Sequence, residues 1–370
     1  MTALVRRAAL ASVLAISLCG VMVAVCGKVP SLGFGAAAQS SGAPQVSFVV
    51  SGLMGLDGGW IAVSDINDAG RATGSASQQG QQRAVIWNDG RIVDLGIPGA
   101  GTSRGVAVDA AGRVACLATD PVGEFVCRGL LCDPDGESVD LELRTSMADS
   151  RCDVCGMNNL GQVVGAIRLA DGTWEPAVWD RGGAAVSLGA SPGRAKDIND
   201  MGQVAGYVGS GPMERACVWE PQADGSYAMT WVAPPSAGVS RAVAINDAGM
   251  VVGRAFARDD GRLRAFAYSS ETGMRELPRP AGACIYWACD ISDKGWIVGA
   301  AVGSGPRAVL WIGDQAMDLN DCIDPMSSWE LVVARAVNNR GDIIGRGIFF
   351  DEEGGMFILR PERMTDSTVG

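Results

Sequence analysis

One short pattern recurs seven times along the chain, and this repeat constrains the fold more than any other feature. Each copy consists of a β-branched run, the sequence Ile-Asn-Asp-x-Gly or a close variant, a second apolar run and another glycine. The first glycines of the seven copies are Gly70, Gly112, Gly161, Gly202, Gly249, Gly295 and Gly341. Their average spacing of about 45 residues lets seven units account for residues 46–360.

Each unit contains four short strand-like runs, which in the first unit cover residues 61–66, 71–75, 83–87 and 91–95. Four antiparallel strands every 40–50 residues are typical of a β-propeller blade. No helical periodicity of useful length occurs after residue 30. The sequence therefore predicts an all-β fold, a seven-bladed β-propeller built from four-stranded repeats of about 45 residues.

The two ends of the repeat region predict how the ring closes. The last unit has three strand-like runs and no fourth, whereas residues 46–56, before the first unit, resemble a lone fourth strand. An N-terminal strand that completes the last blade would remove an exposed sheet edge. We therefore expect the propeller to be closed by this strand, and its deletion to destabilise the whole ring.

The N-terminal region resembles an export signal. Arg6 and Arg7 precede an uncharged stretch over residues 8–26, and small residues at 36–38 suit cleavage before Gln39. We predict a signal peptide or membrane anchor over 1–38, a linker over 39–45, the propeller over 46–362 and a tail over 363–370. Cleavage, an uncleaved anchor and lipidation at Cys19 or Cys26 all remain open. The predicted location is the periplasm, the cell surface or the extracellular space.

Charge and composition exclude several classes of function. The chain has no histidine, which excludes Ser-His-Asp and Cys-His catalysis and any zinc site that uses histidine. Removal of residues 1–38 would take away three basic residues and no acid, which changes the net charge from −11 to −14. This balance argues against nucleic-acid partners. We expect no cofactor, no metal, a monomer, and membrane contact only through an uncleaved or lipidated N-terminus.

The repeat units resemble those of a known family. The Ile-Asn-x-x-Gly-x-x-x-Gly pattern, the Ala-x-x-Trp run ending at Trp87 and the Asp-Leu-Gly run at 94–96 are similar to the HAF-type extracellular repeats of bacteria. The resemblance covers nearly all of residues 46–360, although the second unit lacks the aromatic residue and the Asp-Leu-Gly run. It implies an exported protein with a propeller-like fold, and it implies no catalytic residues.

Six cysteines are candidates for disulfide bonds, the default in an oxidising compartment: Cys127, Cys132, Cys152, Cys155, Cys284 and Cys289. Cys127 to Cys132 followed by Cys152 to Cys155 also fits a four-cysteine zinc site, and the second pair fits a redox motif. Inert free thiols are the remaining alternative. Nine cysteines follow residue 38, so at least one should stay unpaired.

Two further patterns have both a structural and a functional interpretation. The Asn-Asp turns favour hairpin formation, because Asn and Asp bond to the local backbone, over calcium binding, which needs more alternating oxygen ligands. Paired acids such as Asp259 and Asp260, or Glu352, could hydrolyse glycosides without histidine. Acids in polar loops are more often simply solvated.

Aromatic residues in the loops of variable length are the candidate binding residues. In the predicted ring, one face carries the uniform Asn-Asp turns and the other carries the variable loops. The candidates are Trp60, Trp174, Tyr286, Trp287 and Trp329. They suit sugar or peptide contacts, or else they cap the ends of blades. The predicted function is a non-catalytic module that binds a protein or glycan at the cell envelope. A glycan-acting envelope hydrolase or lyase and a purely structural surface protein are the alternatives.

Overall fold

A computed structural model describes residues 46–119, 127–142, 151–232, 238–257, 259–350 and 352–362. The predicted signal region, the linker and the tail lie outside these ranges. The structure is all-β, with seven four-stranded antiparallel sheets arranged in a ring. The predicted seven-bladed β-propeller is confirmed. Across the described ranges, we find no helix whose length and hydropathy would suit it to cross a membrane.

Strands are numbered along the chain, and β1 (Phe48–Gly52) precedes six blades that are continuous in sequence. Blades 1 to 3 consist of β2 (Ile61–Ile66), β3 (Ala72–Gln78), β4 (Gln81–Asn88), β5 (Arg91–Asp94), β6 (Thr102–Val108), β7 (Val114–Thr119), β8 (Cys127–Cys132), β9 (Ser138–Asp140), β10 (Cys152–Met157), β11 (Val163–Arg168), β12 (Trp174–Trp179) and β13 (Ala185–Ser187). Blades 4 to 6 consist of β14 (Gly193–Ile198), β15 (Val204–Val208), β16 (Arg215–Pro221), β17 (Tyr227–Trp231), β18 (Ser240–Ile245), β19 (Val251–Phe256), β20 (Leu263–Ser269), β21 (Gly273–Glu276), β22 (Ile285–Ile291), β23 (Ile297–Val302), β24 (Pro306–Ile312) and β25 (Gln315–Asp318). Short 3₁₀ turns cover Gly211–Met213 and Leu319–Cys322.

Blade 7 is assembled from both ends of the chain, as predicted. Strands β26 (Trp329–Val337), β27 (Ile343–Phe349) and β28 (Glu352–Pro361) are completed by β1, which pairs antiparallel with β28. Phe48 of β1 is 2 % exposed and packs in a cluster with Leu331, Phe357 and Leu359. The N-terminal strand therefore closes the ring through both backbone pairing and apolar burial.

Every innermost strand contains a β-bulge, and the bulge explains the second glycine of the repeat. In blade 3 the register shifts between Val154 and Gly156 of β10, opposite Gly165 of β11. A Cβ atom at Gly165 would lie 1.8 Å from the backbone oxygen of Asp153, so no side chain fits there. The bulges place two consecutive residues of each inner strand beside the axis of the ring.

The tryptophans that end the third strands join neighbouring blades. Trp179 and Trp311 are fully buried, and Trp87 is 3 % exposed. The indole N–H of Trp87 donates to the backbone oxygen of Met54, that of Trp179 to Glu142 and that of Trp311 to Pro278. Each acceptor lies in the connection that precedes the blade of its tryptophan. These three tryptophans thus combine a large buried surface with a polar contact to the preceding connection, whereas the buried indole N–H of Trp219 in blade 4 has no partner among the described residues.

Candidate functional site

The ring has two different faces. The seven turns that join the first and second strands of each blade form one face, which we call the latched face. The opposite face, which we call the variable face, carries the connections between second and third strands and the connections between blades. The two faces are the two ends of the same inner strands, so one repeat unit contributes to both.

An inner ring of hydrogen bonds connects blades on the latched face. Asn67 shows the pattern: its side-chain oxygen accepts from the Arg71 backbone and closes the turn, and its side-chain N–H donates to the Asp109 backbone oxygen of the next blade at 2.7 Å. Equivalent donations cross four more junctions, from Asn158, Asn199, Asn246 and Asn338. These asparagines are buried, so the amide groups are paired away from water.

An outer ring uses the next residue of each turn. The Asn339 backbone N–H donates to the Asp68 carboxylate of blade 1 at 2.7 Å, and the Asp200 backbone N–H donates to Asp247 at 2.8 Å. The same bond crosses every junction except the one from blade 1 to blade 2, where Ala110 has no acceptor side chain. Together, the two rings bond all seven junctions.

The carboxylates of the turns are therefore engaged in holding the ring together. Their oxygens accept bonds from neighbouring turns, which explains why Asn and Asp recur at these positions. In the described ranges, no group of three or more cysteine, aspartate and glutamate side chains is arranged to hold a metal ion. We call the hydrogen bonds of the inner and outer rings the latches. They favour the structural interpretation of the Asn-Asp turns.

Three aspartates, which lie between the two faces, form a third set of contacts between neighbouring blades. Asp65, Asp197 and Asp290 each accept the N–H of the following residue and an N–H from the next blade, at 2.7–2.9 Å. They line an axial cavity of about 120 Å³ to which all seven blades contribute. Burial raises the pKa of all three carboxyls, and that of Asp197 to about 7. Lys196 and Arg335 also line this cavity.

The five predicted aromatic residues all lie toward the variable face, but they differ in exposure. Trp60 is 57 % exposed. Trp174 is half-buried beneath the Arg194 guanidinium, whose carbon lies 4.2 Å from the ring centroid. Tyr286 and Trp287 lie within β22 instead of a loop and are buried, so their rings pack in the core and offer little contact surface. Trp329 is half-buried at the start of β26.

Trp329 belongs to an exposed group of aromatic rings on blade 7. Its ring centroid lies 4.9 Å from that of Phe349, which lies 4.5 Å from that of Phe350. Phe349 is 39 % exposed and Phe350 69 % exposed. We call Trp329, Phe349 and Phe350 the aromatic platform.

In the aromatic platform, the Trp329 ring packs over three glycines, and Phe350 has a strained backbone conformation. Cβ atoms built at Gly52, Gly347 and Gly355 would lie 2.9–3.2 Å from the Trp329 ring, so the absence of side chains lets the indole lie flat on the sheet. Phe350 has a φ of +48°, a conformation that bulky residues rarely adopt. Such strain persists only where the surroundings enforce it, and it is often found at functional sites.

The central axis of the ring opens on the variable face, and we call this opening the channel mouth. Charged side chains surround it. Four inner strands in succession carry Arg104, Asp153, Arg194 and Arg241 at equivalent positions of the register. Asp153 lies 2.5 Å from an Arg194 nitrogen and 3.9 Å from an Arg104 nitrogen. The mouth therefore has more cations than anions in an acidic protein.

None of the nine cysteines in the described ranges, which include the six candidates, forms a disulfide bond in the structure. Cys127 and Cys132 stand at opposite ends of β8, and Cys152 and Cys155 both lie in β10. An extended strand rises about 3.3 Å per residue. It therefore separates such pairs by roughly 10–17 Å, whereas a disulfide needs Cα atoms within about 7 Å.

The remaining cysteine pair and the zinc alternative are limited by the same geometry. Cys284 precedes β22 and Cys289 lies within it, so extended backbone separates this pair too. The four cysteines proposed for zinc do not converge. The Cys152 thiol donates to the Cys127 backbone oxygen, whereas the Cys155 sulfur lies 3.2 Å from Nζ of Lys196 beside the axis. Burial raises the pKa of Cys155, which disfavours a reactive thiolate.

The paired loop acids are engaged in ion pairs. Asp259 and Asp260 lie 3.1 and 3.0 Å from the same Arg264 nitrogen. A bond from the Arg262 backbone N–H, together with Arg264, holds the pKa of Asp260 below its usual value. A general acid at a glycosidic bond needs a raised pKa instead. The Glu352 side chain lies outside the described residues.

Sequence reasoning missed Phe349, Phe350 and the arginines of the mouth. An alignment of the seven repeats against each other would have placed the arginines, because they share one position relative to the Asn-Asp turn. Phe349 and Phe350 carry a weaker signal, two adjacent aromatic residues at the end of a strand. The positive φ of Phe350 could not be expected, since such positions normally favour Gly or Asn.

Comparisons with protein-family models and with curated proteins give no match. Among solved structures, a puromycin hydrolase is similar with a TM-score of 0.52 and 15 % identity over 83 % of this chain. The matched region spans only 55 % of that hydrolase. A protein described as TolB from Agrobacterium tumefaciens has a TM-score of 0.47 and 10 % identity, over 74 % of this chain and 95 % of its own. YCF48 bound to a D1 peptide has a TM-score of 0.49 and 12 % identity, over 85 % and 94 %. Similarity at these identities concerns the fold alone.

Proposed function

We propose that the protein is an exported, non-catalytic interaction module of the HAF-type repeat class, which binds a protein or glycan through its variable face. The observation that carries this proposal is the aromatic platform. It places a 69 % exposed phenylalanine beside a second aromatic ring on the face that the latches leave unused. Clustered exposed aromatic rings are typical of interaction sites.

The chemistry of the platform suits both ligand classes. Aromatic rings offer rigid, flat contact area at low entropic cost, which serves the apolar faces of sugars and the aliphatic side chains of peptides alike. The packing of Trp329 over glycine explains its own burial but not the exposure of Phe350. Capping of the blade end alone would not require an exposed phenylalanine held at positive φ.

The test is a pull-down from an envelope extract, paired with a glycan array, using the purified protein. The variant Phe350→Gly removes the exposed ring. The control Met201→Ala truncates a side chain of similar exposure, 67 %, on the latched face. We expect a ligand to be captured by the wild type and by Met201→Ala but not by Phe350→Gly. Equal capture by both variants would contradict the proposal.

Export and attachment are separate parts of the proposal, supported by the basic and uncharged segments of residues 1–38. Expression of the full chain with export, followed by N-terminal sequencing, tests them. A product that begins at Gln39 supports cleavage. An intact N-terminus in the membrane fraction supports an anchor, and a cytoplasmic product contradicts export.

A further inference from the structure

A cleft of about 330 Å³ opens on the variable face between blades 4 and 5. Its apolar wall includes Pro212, Phe256 and Leu263. Its charged wall consists of Glu214, Arg241 and Arg254. We call these six residues the mouth cleft, because Arg241 also belongs to the inner strand beside the channel mouth. The volume lies in the lower range of small-molecule sites, which begins at about 300 Å³.

One of the two guanidinium groups in the cleft is held in place. Arg241 makes two bonds to the buried Glu214 carboxylate, at 2.5 and 2.9 Å. Its guanidinium carbon lies 4.9 Å from the centroid of the Tyr207 ring. These contacts fix its position and compensate its charge.

The other guanidinium is available for a ligand. Arg254 lies directly opposite Arg241 in the register of β18 and β19, and the one carboxylate of the cleft wall, that of Glu214, is already bonded to Arg241. Within the described ranges, Arg254 makes no hydrogen bond and no ion pair, although it is half-buried in the cleft wall. A half-buried guanidinium without a carboxylate partner favours an anion from solution.

The neighbouring blades strengthen this preference. Arg194 and Arg104, at the equivalent positions of blades 4 and 2, share one carboxylate, that of Asp153. The mouth region thus carries a local excess of positive charge in a chain with a net charge of −11. Cations lining a cleft with low-dielectric walls focus the field and attract anions.

We propose that the mouth cleft binds an organic carboxylate with an apolar body. The carboxylate pairs with Arg254, and the apolar body packs against Phe256 and Leu263. A small inorganic anion would leave the apolar wall in contact with water, whereas a neutral apolar molecule would leave Arg254 unpaired. This site shares no residue with the aromatic platform and does not depend on the function proposed above.

The experiment is calorimetric titration of the purified protein with phenylpropionate, its methyl ester and inorganic phosphate. The variant Arg254→Gln removes the guanidinium, and Arg254→Lys keeps the charge but loses the bidentate geometry. The matched control is Arg275→Gln, which removes an exposed arginine from β21 of the same blade. Thermal unfolding of each variant confirms that it is folded.

We expect the acid to bind, with the ester and the Arg254→Gln variant each weaker by about tenfold or more. Arg254→Lys should be intermediate, and Arg275→Gln and Phe350→Gly should bind like the wild type. No binding of the acid at millimolar concentration would overturn the proposal, as would equal binding of acid and ester. Phosphate binding as tight as the acid, or unchanged affinity in Arg254→Gln, would also overturn it. Because the readout is small-molecule binding, it is separate from capture by the aromatic platform.

Discussion

The two faces of the propeller use the same repeat for opposite purposes. On the latched face, Asn67 and its equivalents bond five of the seven junctions, the outer ring bonds the other two, and similar turns recur seven times. On the variable face, equivalent positions carry unlike residues, such as Arg104 in one blade and Asp153 in the next. Because the blades are bonded together at one end of their inner strands, the residues at the other end can differ between blades and can form a binding site.

The largest expected effect comes from opening the ring on which both faces depend. Phe48→Ala removes a buried aromatic side chain from the closing strand, and we expect it to lower the free energy of unfolding by about 3–5 kcal/mol. Urea denaturation followed by tryptophan fluorescence measures it. The matched control is Val49→Ala, one residue along and 55 % exposed, which should change stability by less than about 0.5 kcal/mol. Equal effects of the two variants would contradict closure by β1.

The next largest expected effect distinguishes the stability contributions of the inner and outer rings at the junction between blades 7 and 1. Asn338 is 4 % exposed and donates to the Asn67 backbone oxygen, whereas the neighbouring Asn339 bonds on the exposed side. Asn338→Ala leaves buried partners unpaired and should lower the free energy of unfolding by about 2–3 kcal/mol. Asp68→Ala, which removes the carboxylate that accepts the Asn339 backbone N–H at the same junction, should lower it by less than about 1 kcal/mol. The reverse order in chemical denaturation would show that the outer ring holds the junction.

The sequence predicted the architecture well because each repeat of the sequence corresponds to one blade of the structure. Spacing and turn chemistry were enough for seven blades, and the unpaired segment before the first unit was enough for closure by β1. Tyr286 and Trp287 were misplaced because β22 begins earlier than the turn signals indicate, which draws both residues into the core. Cysteines close in sequence are not close in space for a related reason, since residues of one extended strand are separated by about 3.3 Å each, and the disulfide pairing of the six candidates stays a prediction.

The candidate site was less predictable because it depends on contacts between units. Whether Arg254 has a partner depends on Glu214, forty residues away in another blade, and no local pattern reports this. The flat position of Trp329 likewise depends on glycines from three different strands. Repeat periodicity places residues at equivalent positions, but it does not show which of them are satisfied by a neighbour.

The axial aspartates, which lie between the two faces, predict a pH dependence. Burial raises the pKa of Asp197 to about 7 from 3.8, so the folded protein retains a proton that the unfolded chain releases above about pH 4. The stability from this group is therefore complete below about pH 4 and is lost as the pH rises through about 7. At about 1.36 kcal/mol per pKa unit, we expect a loss of about 3–4 kcal/mol across this window.

The measurement is the difference in unfolding free energy between wild type and Asp197→Asn at pH 4 and pH 7. Asparagine cannot accept both backbone N–H groups, so the variant should be less stable than wild type at pH 4. The difference should shrink by pH 7, where the wild-type carboxyl carries a buried charge. Asp314→Asn, at a 94 % exposed site, is the control variant. Parallel pH profiles for Asp197→Asn and wild type would refute the assignment.

The smallest expected effect on stability is the most informative about the variable face. Phe350→Gly removes an exposed ring from a positive-φ position that glycine adopts freely, so relief of strain offsets the loss of the contact with Phe349. We expect the free energy of unfolding to rise by up to about 1 kcal/mol, measured by urea denaturation, while ligand capture is lost. Phe349→Ala, at an ordinary strand position, should lose capture without any gain in stability. A clear destabilisation by Phe350→Gly would mean that the platform packs the blade and belongs, like the latches, to the scaffold.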